Sequence, residues 1–145
     1  MSNQWIRAVA LCVVINGDRV LVRRHIDHGR SRVFFRPPGG TIEYGEHSLD
    51  AARRELQEEI DAEVTNLRLL GCVENIFQHE GGTGHEIVFI YRSDFADPAF
   101  YQHETIDGQE ADGQDFVACW LPLAAFTPEQ PLYPTALLDL LRSEL

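Results

Sequence analysis

Three glutamates lie close together in residues 39–62, at Glu55, Glu58 and Glu59. At about 100° per residue in a helix, their side chains fall within roughly one quadrant. Such pairs repel by about 0.3 kcal/mol when exposed, and by roughly 3 kcal/mol per pair in a cleft of effective dielectric ~20. A hard divalent cation such as Mg²⁺ removes this penalty, because it prefers oxygen ligands and keeps waters for a phosphate-bearing substrate. A magnesium site is therefore one interpretation of this spacing.

A solvated acidic helix face is the alternative interpretation of the same residues. In that case Arg54 would pair with Asp50 and Glu58, each four residues away. The helix pattern alone is compatible with both interpretations. In either case the neighbouring face of the helix is apolar and would pack on a core, through Leu49, Ala52, Leu56 and Ile60.

The charged residues belong to a longer pattern. Five residues separate Gly40 from Glu46, and seven more separate Glu46 from the run Arg54-Glu55-Leu56-x-Glu58-Glu59. With each residue type at about one position in fifteen, six such matches arise by chance on the order of once in ten million windows. The spacing resembles the Nudix box, G-x5-E-x7-R-E-U-x-E-E-x-G-U, in which U is a bulky aliphatic residue. The chain is therefore similar to the Nudix hydrolases.

Two positions depart from the Nudix box. Asp61 stands where the family has its last glycine, and Ala62 is smaller than the usual final aliphatic residue. The family glycine ends the helix in a left-handed conformation. Aspartate tolerates that conformation better than most residues, so we expect modest strain at Asp61 and an intact site.

The resemblance implies that the chain hydrolyses a nucleoside diphosphate linked to another group X. Water would attack a phosphoanhydride (pyrophosphate) bond, with Mg²⁺, or Mn²⁺ as a substitute, neutralising the charge of the diphosphate. Glu55, Glu58 and Glu59 would be the metal ligands. Glu55 or Glu59 would also act as the general base, and the spacing leaves both assignments open.

Other residues take supporting roles by the same resemblance. Arg54 would hold a catalytic glutamate in place, and Glu46 would be an outer-shell ligand or stabilise the junction of loop and helix. Gly39 and Gly40 allow the backbone to approach a ligand closely, and the carbonyl group of Gly40 is a further candidate metal ligand. In Nudix hydrolases the region that corresponds to residues 94–115 often adds an acidic group near the metal.

Residues 94–115 are polar, acidic and interrupted by proline and glycine. We expect an irregular functional loop there, because loops of this length in compact domains tend to bind ligands or cover sites. Glu110 is the first candidate for the additional metal ligand, and Asp112 is the second.

Two other functions would use a related fold. A non-catalytic nucleotide-binding or regulatory module would be expected to have a degraded box, whereas all the carboxylates are present here. An isomerase of isoprenoid diphosphates would need a catalytic cysteine and additional N-terminal segments, and the chain offers no clear equivalent of them. Hydrolysis is therefore the favoured function.

Length and charge restrict the partners. At 145 residues the chain is expected to form a single domain over residues 1–145. A net charge of -11 disfavours nucleic-acid polymers, and no apolar run approaches the ~18 residues of a membrane span. Cys12, Cys72 and Cys119 lie in apolar runs, so we expect reduced core thiols and a cytoplasmic protein. A small-molecule nucleotide substrate fits this composition, and a homodimer is possible because it is the commonest soluble assembly.

A local basic patch could still bind an anionic substrate. All 12 basic residues are arginines, and six of them lie within 18 residues before the glycines: Arg19, Arg23, Arg24, Arg30, Arg32 and Arg36. The planar guanidinium group suits phosphate, and Arg36 is the candidate substrate contact. An exposed charged hairpin is the alternative for most of the patch. Stacking platforms for a base could be Trp5, Phe35, Tyr44, Phe77, Phe100 or Tyr101.

The remaining pattern predicts the elements that position the site. Strands are expected at residues 5–15, 19–24, 33–36, 67–78, 86–92 and 116–121, with a polar loop at 25–31, a glycine-rich hairpin loop at 79–84 and a C-terminal helix at 134–144. The helix of the box should begin at His47 or Ser48. This order predicts an α/β fold in which a mixed β-sheet is sandwiched between α-helices, as in the α/β/α sandwich of the Nudix fold that the resemblance implies.

Overall fold

The computed structural model describes residues 4–29, 31–79 and 81–145. The strands are β1 (Ile6–Val13), β2 (Ile15–Asn16), β3 (Arg19–Asp27), β4 (Arg32–Arg36), β5 (Gly39–Thr41), β6 (Val64–His79), β7 (Gly82–Phe95), β8 (Thr105–Gln109) and β9 (Asp115–Pro122). The α-helices are α1 (Ser48–Ile60) and α2 (Leu137–Arg142), and short 3-10 helices lie at Pro98–Gln102 and Leu123–Ala125. No helix in the described ranges is long and apolar enough to cross a membrane.

The strands form two sheets. The first has the order β5-β1-β7-β6, in which β1 runs parallel to β7 and the other pairs are antiparallel. The second is antiparallel, with the order β2-β3-β9-β8 and β4 paired to β3. The prediction of a mixed sheet is confirmed by the parallel pairing of β1 with β7.

Helices cover both faces of the first sheet, so β1 is buried on both sides. Ala10 and Cys12 point into a core that includes Leu56 and Ile60 of α1. Val9, Leu11 and Val13 alternate with them and point into a second core, which includes Leu137 and Leu141 of α2. The prediction of a sheet sandwiched between helices is therefore confirmed.

Residues 94–115 are more regular than the sequence predicts. They contain the 3-10 helix Pro98–Gln102 and the strand β8, which pairs with β9 along its length. Only Ile106 of β8 is buried, because β8 is an edge strand with one face in solvent, so its sequence TIDGQ lacks an apolar pattern. The expectation of an irregular loop over the whole segment is wrong.

Other element boundaries also differ from expectation. β3 continues to Asp27, so His25 lies on a strand and not in a loop. β6 and β7 extend to His79 and Gly82, which shortens the predicted hairpin loop; Glu80 of that loop lies outside the described residues, as does Arg30 of the basic patch. The C-terminal helix covers only Leu137–Arg142, which is shorter than predicted at both ends. Before it, Pro131 and Tyr133 make two backbone hydrogen bonds with Phe35 of β4.

One cysteine is not in the core. Cys12 is buried and Cys119 is half-buried, but Cys72 is exposed. Cys72 lies on β6, at the edge of the first sheet, where alternate residues point away from the core. The expectation of three core thiols is therefore wrong for Cys72.

Candidate active site

A cavity of about 670 Å³ lies between α1 and the strands β1, β3 and β4. One wall is acidic and carries Glu55, Glu58, Glu59 and Glu110. The lining also carries three arginines, Arg7, Arg23 and Arg36, which we call the basic wall. The fold thus brings the predicted carboxylates and part of the predicted arginine patch to one cavity.

α1 begins at Ser48, as predicted, and holds the acidic wall through its buried apolar face. At its end Asp61 is left-handed, with φ 53° and ψ 43°. The Asp61 amide donates to the Gln57 carbonyl at 3.1 Å and the Ala62 amide donates to the Leu56 carbonyl at 3.3 Å. Ala62 is fully buried. Aspartate therefore adopts here the left-handed conformation in which the family glycine ends the helix.

The two glycines before α1 lie where side chains would collide. A Cβ atom on Gly39, whose φ is +147°, would lie 2.1 Å from the carbonyl oxygen of Ala10 on β1. A Cβ atom on Gly40 would lie 2.5 Å from Cδ of Glu55. Gly39 therefore permits close packing of β5 on β1, and Gly40 leaves space for the carboxylate of Glu55.

Arg54 organises several carboxylates at once. Its Nε and Nη2 atoms donate to the two oxygens of Glu46 at 2.8 and 2.9 Å. Its Nη1 atom donates to Glu55 and Glu58, at 3.2 Å in each case, and Nη2 also donates to the carbonyl oxygen of Thr41 at 3.1 Å. The hydrogen bonds from Arg54 lower the pKa of Glu46 to about 2, and those to Glu46 raise the pKa of Arg54. Arg54 thus contacts carboxylates on the loop and on α1.

Glu55 and Glu59 are poorly solvated for carboxylates. Burial, followed by the charge of Glu55, raises the pKa of Glu59 to about 8, and burial also raises the pKa of Glu55. Oε2 of Glu59 is buried and accepts no hydrogen bond from the residues that the structure describes. Glu58 is different, because its side chain is 55% exposed.

These carboxylates have the chemistry of a site for a hard cation. A buried carboxylate oxygen without a donor is costly, and an oxygen-preferring divalent ion would satisfy it. Across residues 4–29, 31–79 and 81–145, no three His, Cys, Asp or Glu side chains are already grouped closely enough to hold a metal. Glu58 would have to leave Arg54 to join Glu55 and Glu59, and its exposure permits that movement. The donor set therefore fits a magnesium ion.

Glu110 reaches the cavity from the turn between β8 and β9. Its carboxylate bonds Nη2 of Arg23, and its charge contributes to the raised pKa of Glu59. Asp112, the second candidate in this segment, accepts a hydrogen bond from the amide of Gln114 at 3.0 Å and so closes the turn. The geometry favours Glu110 over Asp112 as a residue of the site.

The match to known proteins extends over most of the chain. The family model of the NUDIX domain matches residues 5–139. The chain belongs to the Nudix family. Nudix hydrolases generally act on nucleoside diphosphate derivatives and use divalent metal ions such as Mg²⁺.

Solved Nudix structures share the fold. A MutT NUDIX hydrolase from Burkholderia pseudomallei is 18% identical, with 93% of this chain and 96% of that chain covered and a TM-score of 0.65. A NUDIX hydrolase from Nitrosomonas europaea is also 18% identical, with coverage of 97% and 88% and a TM-score of 0.66. A MutT protein from Bacillus halodurans is 21% identical, with coverage of 97% and 81% and a TM-score of 0.57.

Outside the Nudix box, the cavity separates the remaining candidates. Among the six aromatic candidates, Phe77 lines the cavity. Phe35 is buried in the second core and Tyr44 is fully exposed, whereas Phe100 and Tyr101 pack on Phe95. Trp5 is 69% exposed.

Sequence patterns do not indicate several residues that line the cavity. Arg7, Asn75, Phe34 and Tyr133 line the cavity but are not among the residues that the sequence singles out. From the sequence, the simpler interpretation of Glu86 is a residue of a strand-edge pair, and the alternative is a residue of the cleft. In the structure Glu86 is buried beside Arg36. The neighbours of Glu86 come from different strands of the structure. The one sequence signal that could have placed Arg7 and Glu86 on the same face of the sheet is the alternation of side chains along β1 and β7.

Proposed function

We propose that this chain is a Mg²⁺-dependent hydrolase that cleaves a phosphoanhydride bond in a nucleoside diphosphate linked to another group X. The main support is Glu59, which places a buried carboxylate oxygen without a hydrogen-bond donor next to Glu55 in the cavity. A structural carboxylate would normally be paired or solvated. A buried carboxylate oxygen without a donor, at the predicted position of a metal ligand, is better explained by a cation.

Glu55, Glu58 and Glu59 would hold the ion, with the Gly40 carbonyl and Glu110 as additional oxygen donors. Mg²⁺ would supply positive charge that offsets the charge of the diphosphate and makes water a better nucleophile. Mn²⁺ would be expected to substitute, because it also accepts oxygen ligands.

The chain's own residues would orient the reactants and move the proton. Glu55 or Glu59 would accept a proton from the attacking water through a carboxylate oxygen. Arg54 would hold Glu55 and the loop residue Glu46 in fixed positions through the contacts at 2.8–3.2 Å, and would not need to touch the substrate. Arg36 also lines the cavity, where it could contact the anionic substrate.

The charge and the cysteines of the chain also bear on its substrate class and its location. The substrate would be a small-molecule nucleotide, since the chain's charge of -11 disfavours a nucleic-acid polymer. We place the protein in the cytoplasm, where its cysteines, free in the structure, would stay reduced. A homodimer is the assembly we would test first, because two-fold symmetry is the commonest arrangement.

A pooled substrate panel tests the reaction. The pool would contain ADP-ribose, dinucleoside polyphosphates, NADH, nucleotide sugars and (d)NTPs, with release of phosphate or nucleotide measured in Mg²⁺ and in EDTA. We expect Mg²⁺-dependent release from at least one class. Glu58→Gln should lower turnover roughly a hundredfold with little change in Tm, because it removes a metal ligand and little packing.

The matched control is Glu129→Gln, an exposed glutamate that does not line the cavity, which should keep full turnover. Binding of nucleotides without Mg²⁺-dependent release would instead favour a non-catalytic module. Unimpaired hydrolysis by folded Glu58→Gln would contradict the assignment of Glu58 as a ligand.

A further inference from the structure

The cavity also contains an ion cluster centred on a buried glutamate, and of this cluster the proposed reaction uses only Arg36. Glu86 of β7 is only 3% exposed. Its Oε1 atom lies 3.0 Å from Nη2 of Arg36 and accepts a hydrogen bond from Nδ2 of Asn75 at 3.1 Å. Its Oε2 atom lies 3.7 Å from Nη1 of Arg7. These four residues, which we call the Glu86 cluster, all line the cavity.

The Glu86 cluster has an excess of positive charge. Two guanidinium groups face one carboxylate, and the side chain of Arg36 is only 16% exposed. Arg23 increases the local charge, because it is paired opposite Arg36 in the ladder of β3 and β4, but Glu110 balances it. One carboxylate matches one guanidinium group, so the excess lies on Arg7, which is 53% exposed and lines the same cavity as the Arg36–Glu86 pair. An anion in the cavity would compensate it.

Both arginines of the cluster are fixed by contacts with neighbouring protein groups. Nη2 of Arg7 donates to Oγ1 of Thr41 at 2.9 Å, and Glu86 engages Arg36 through Nη2, one of its three nitrogen atoms. A guanidinium group has five N–H donors in a rigid fork. Fixed on one side by protein groups, such a fork can present donors to a phosphate without a large loss of side-chain entropy.

A neighbouring histidine is affected by the positive field. The His25 ring stacks on Phe34 with centroids 5.0 Å apart, and both line the cavity. Burial, and then the charges of Arg23 and Arg36, lower the pKa of His25 to about 4. His25 is therefore neutral at pH 7 and adds an uncharged aromatic surface beside the two arginines.

We propose that the Glu86 cluster is a second anion-binding subsite, which takes a phosphate group beyond the diphosphate that faces α1. Arg7 and Arg36 are the binding residues, and Glu86 is the residue that positions them. The reaction in this inference rests on the proposed function, whereas the anion-binding site rests on the contacts of the Glu86 cluster. The preferred substrates are then nucleoside triphosphates or dinucleoside polyphosphates, whose X part carries phosphate. ADP-ribose and nucleotide sugars would be poorer, because their X part is an uncharged sugar.

Binding of inorganic tripolyphosphate in EDTA tests the subsite without a base, a metal or turnover. Isothermal titration calorimetry would compare wild type, Arg7→Gln and the matched control Arg53→Gln. Arg7 is 53% exposed, so its replacement leaves the Arg36–Glu86 pair in place. Arg53 is exposed on α1 and does not line the cavity, and both variants change the net charge equally. We expect Kd to rise about tenfold in Arg7→Gln and less than twofold in Arg53→Gln.

A second variant addresses Arg36. Arg36→Gln alone would leave Glu86 buried without its closest cation and could unfold the protein. Arg36→Gln combined with Glu86→Gln removes both charges and keeps the net charge of the chain. We expect Kd for tripolyphosphate to rise about tenfold in this variant with a cooperative thermal transition retained. Equal Kd values in Arg7→Gln and Arg53→Gln, or no binding by wild type at ~10 mM tripolyphosphate, would overturn the subsite.

Turnover in Mg²⁺ identifies which phosphate the subsite takes. The substrates are the four nucleoside triphosphates, diadenosine tetraphosphate and ADP-ribose. Arg7→Gln should raise KM for the preferred phosphate-rich substrate about tenfold, and leave kcat/KM for ADP-ribose within twofold. A preference for the triphosphates points to a terminal phosphate, and a preference for the tetraphosphate points to an internal one. If wild type hydrolyses none of these substrates and no other member of the pooled panel, the proposed function fails, whereas the calorimetric result still decides the subsite.

Discussion

Replacement of Gly40 by alanine should separate turnover from stability. The added Cβ atom would lie 2.5 Å from Cδ of Glu55 and 2.6 Å from its Oε2. Ordinary contact begins at 3.4 Å, so the carboxylate must move away by about 0.9 Å. A misplacement of about 1 Å at a reacting centre can cost on the order of a hundredfold in rate. We therefore expect kcat of Gly40→Ala to fall about a hundredfold.

The free energy of unfolding should change much less. The atoms that the new methyl group meets belong to the end of a flexible side chain, and Gly40 is not among the residues with positive φ. Alanine gains about 0.4–1 kcal/mol from the lower entropy of the unfolded chain, against about 1–3 kcal/mol for overpacking. A net loss between about 0 and about 2.6 kcal/mol is expected in urea-induced unfolding.

Two other glycines are controls for this experiment. Gly17 has φ +65° and no atom within 4 Å of the position that a Cβ atom would take, so Gly17→Ala should lose about 1–2 kcal/mol of stability and keep full kcat. Gly39→Ala would place Cβ 2.1 Å from a backbone oxygen of Ala10 and should destabilise the fold itself. If Gly40→Ala keeps kcat within threefold of wild type, Glu55 is not a residue whose position limits the reaction.

Three further predictions concern the helix end, the cavity wall and the loop. Asp61→Gly should raise the free energy of unfolding by about 0.5–1 kcal/mol, because φ is 53° there, and a loss of stability in urea would contradict this. His25→Gln should remove a pH dependence of stability, because the pKa of His25 is lowered to about 4. The free energy of unfolding of wild type should be highest above pH 6.5 and fall by about 1–3 kcal/mol relative to that of the variant as pH falls to 4. A difference between the two proteins that does not change with pH would refute this prediction. Glu46→Gln should lower kcat about tenfold by freeing Arg54. Because the pKa of Glu46 is lowered to about 2, wild type should have a higher Tm than the variant above pH 4.5, and this difference should be lost as pH falls towards 2. A Tm difference that grows as the pH falls would contradict the pairing of Glu46 with Arg54.

Local patterns predicted the acidic helix well. The apolar spacing of Leu56 and Ile60 and the short distance between Glu55 and Glu59 are properties of one helix, so α1 and its acidic edge follow from sequence. Asp61 was also predictable, because the left-handed helix end depends on a single residue's backbone preference.

Features made by distant segments were not predictable in the same way. β8 is polar because only Ile106 is buried, so neither hydrophobic periodicity nor composition indicated a strand. The steric role of Gly40 depends on Glu55, fifteen positions later in the chain, and on the packing of α1 against β5. The Glu86 cluster joins residues from β1, β4, β6 and β7, and its net charge appears only when their order in the sheets is known.

The most direct test of the metal site is a Mn²⁺ titration followed by electron paramagnetic resonance at pH 7.5. Wild type should bind Mn²⁺ saturably through the carboxylates of α1. Glu59→Gln should weaken that binding at least about tenfold, and Glu129→Gln should leave it unchanged. Superimposable titrations for wild type and folded Glu59→Gln, or no saturable binding by wild type in the millimolar range, would contradict the proposal that this acidic edge holds the catalytic cation.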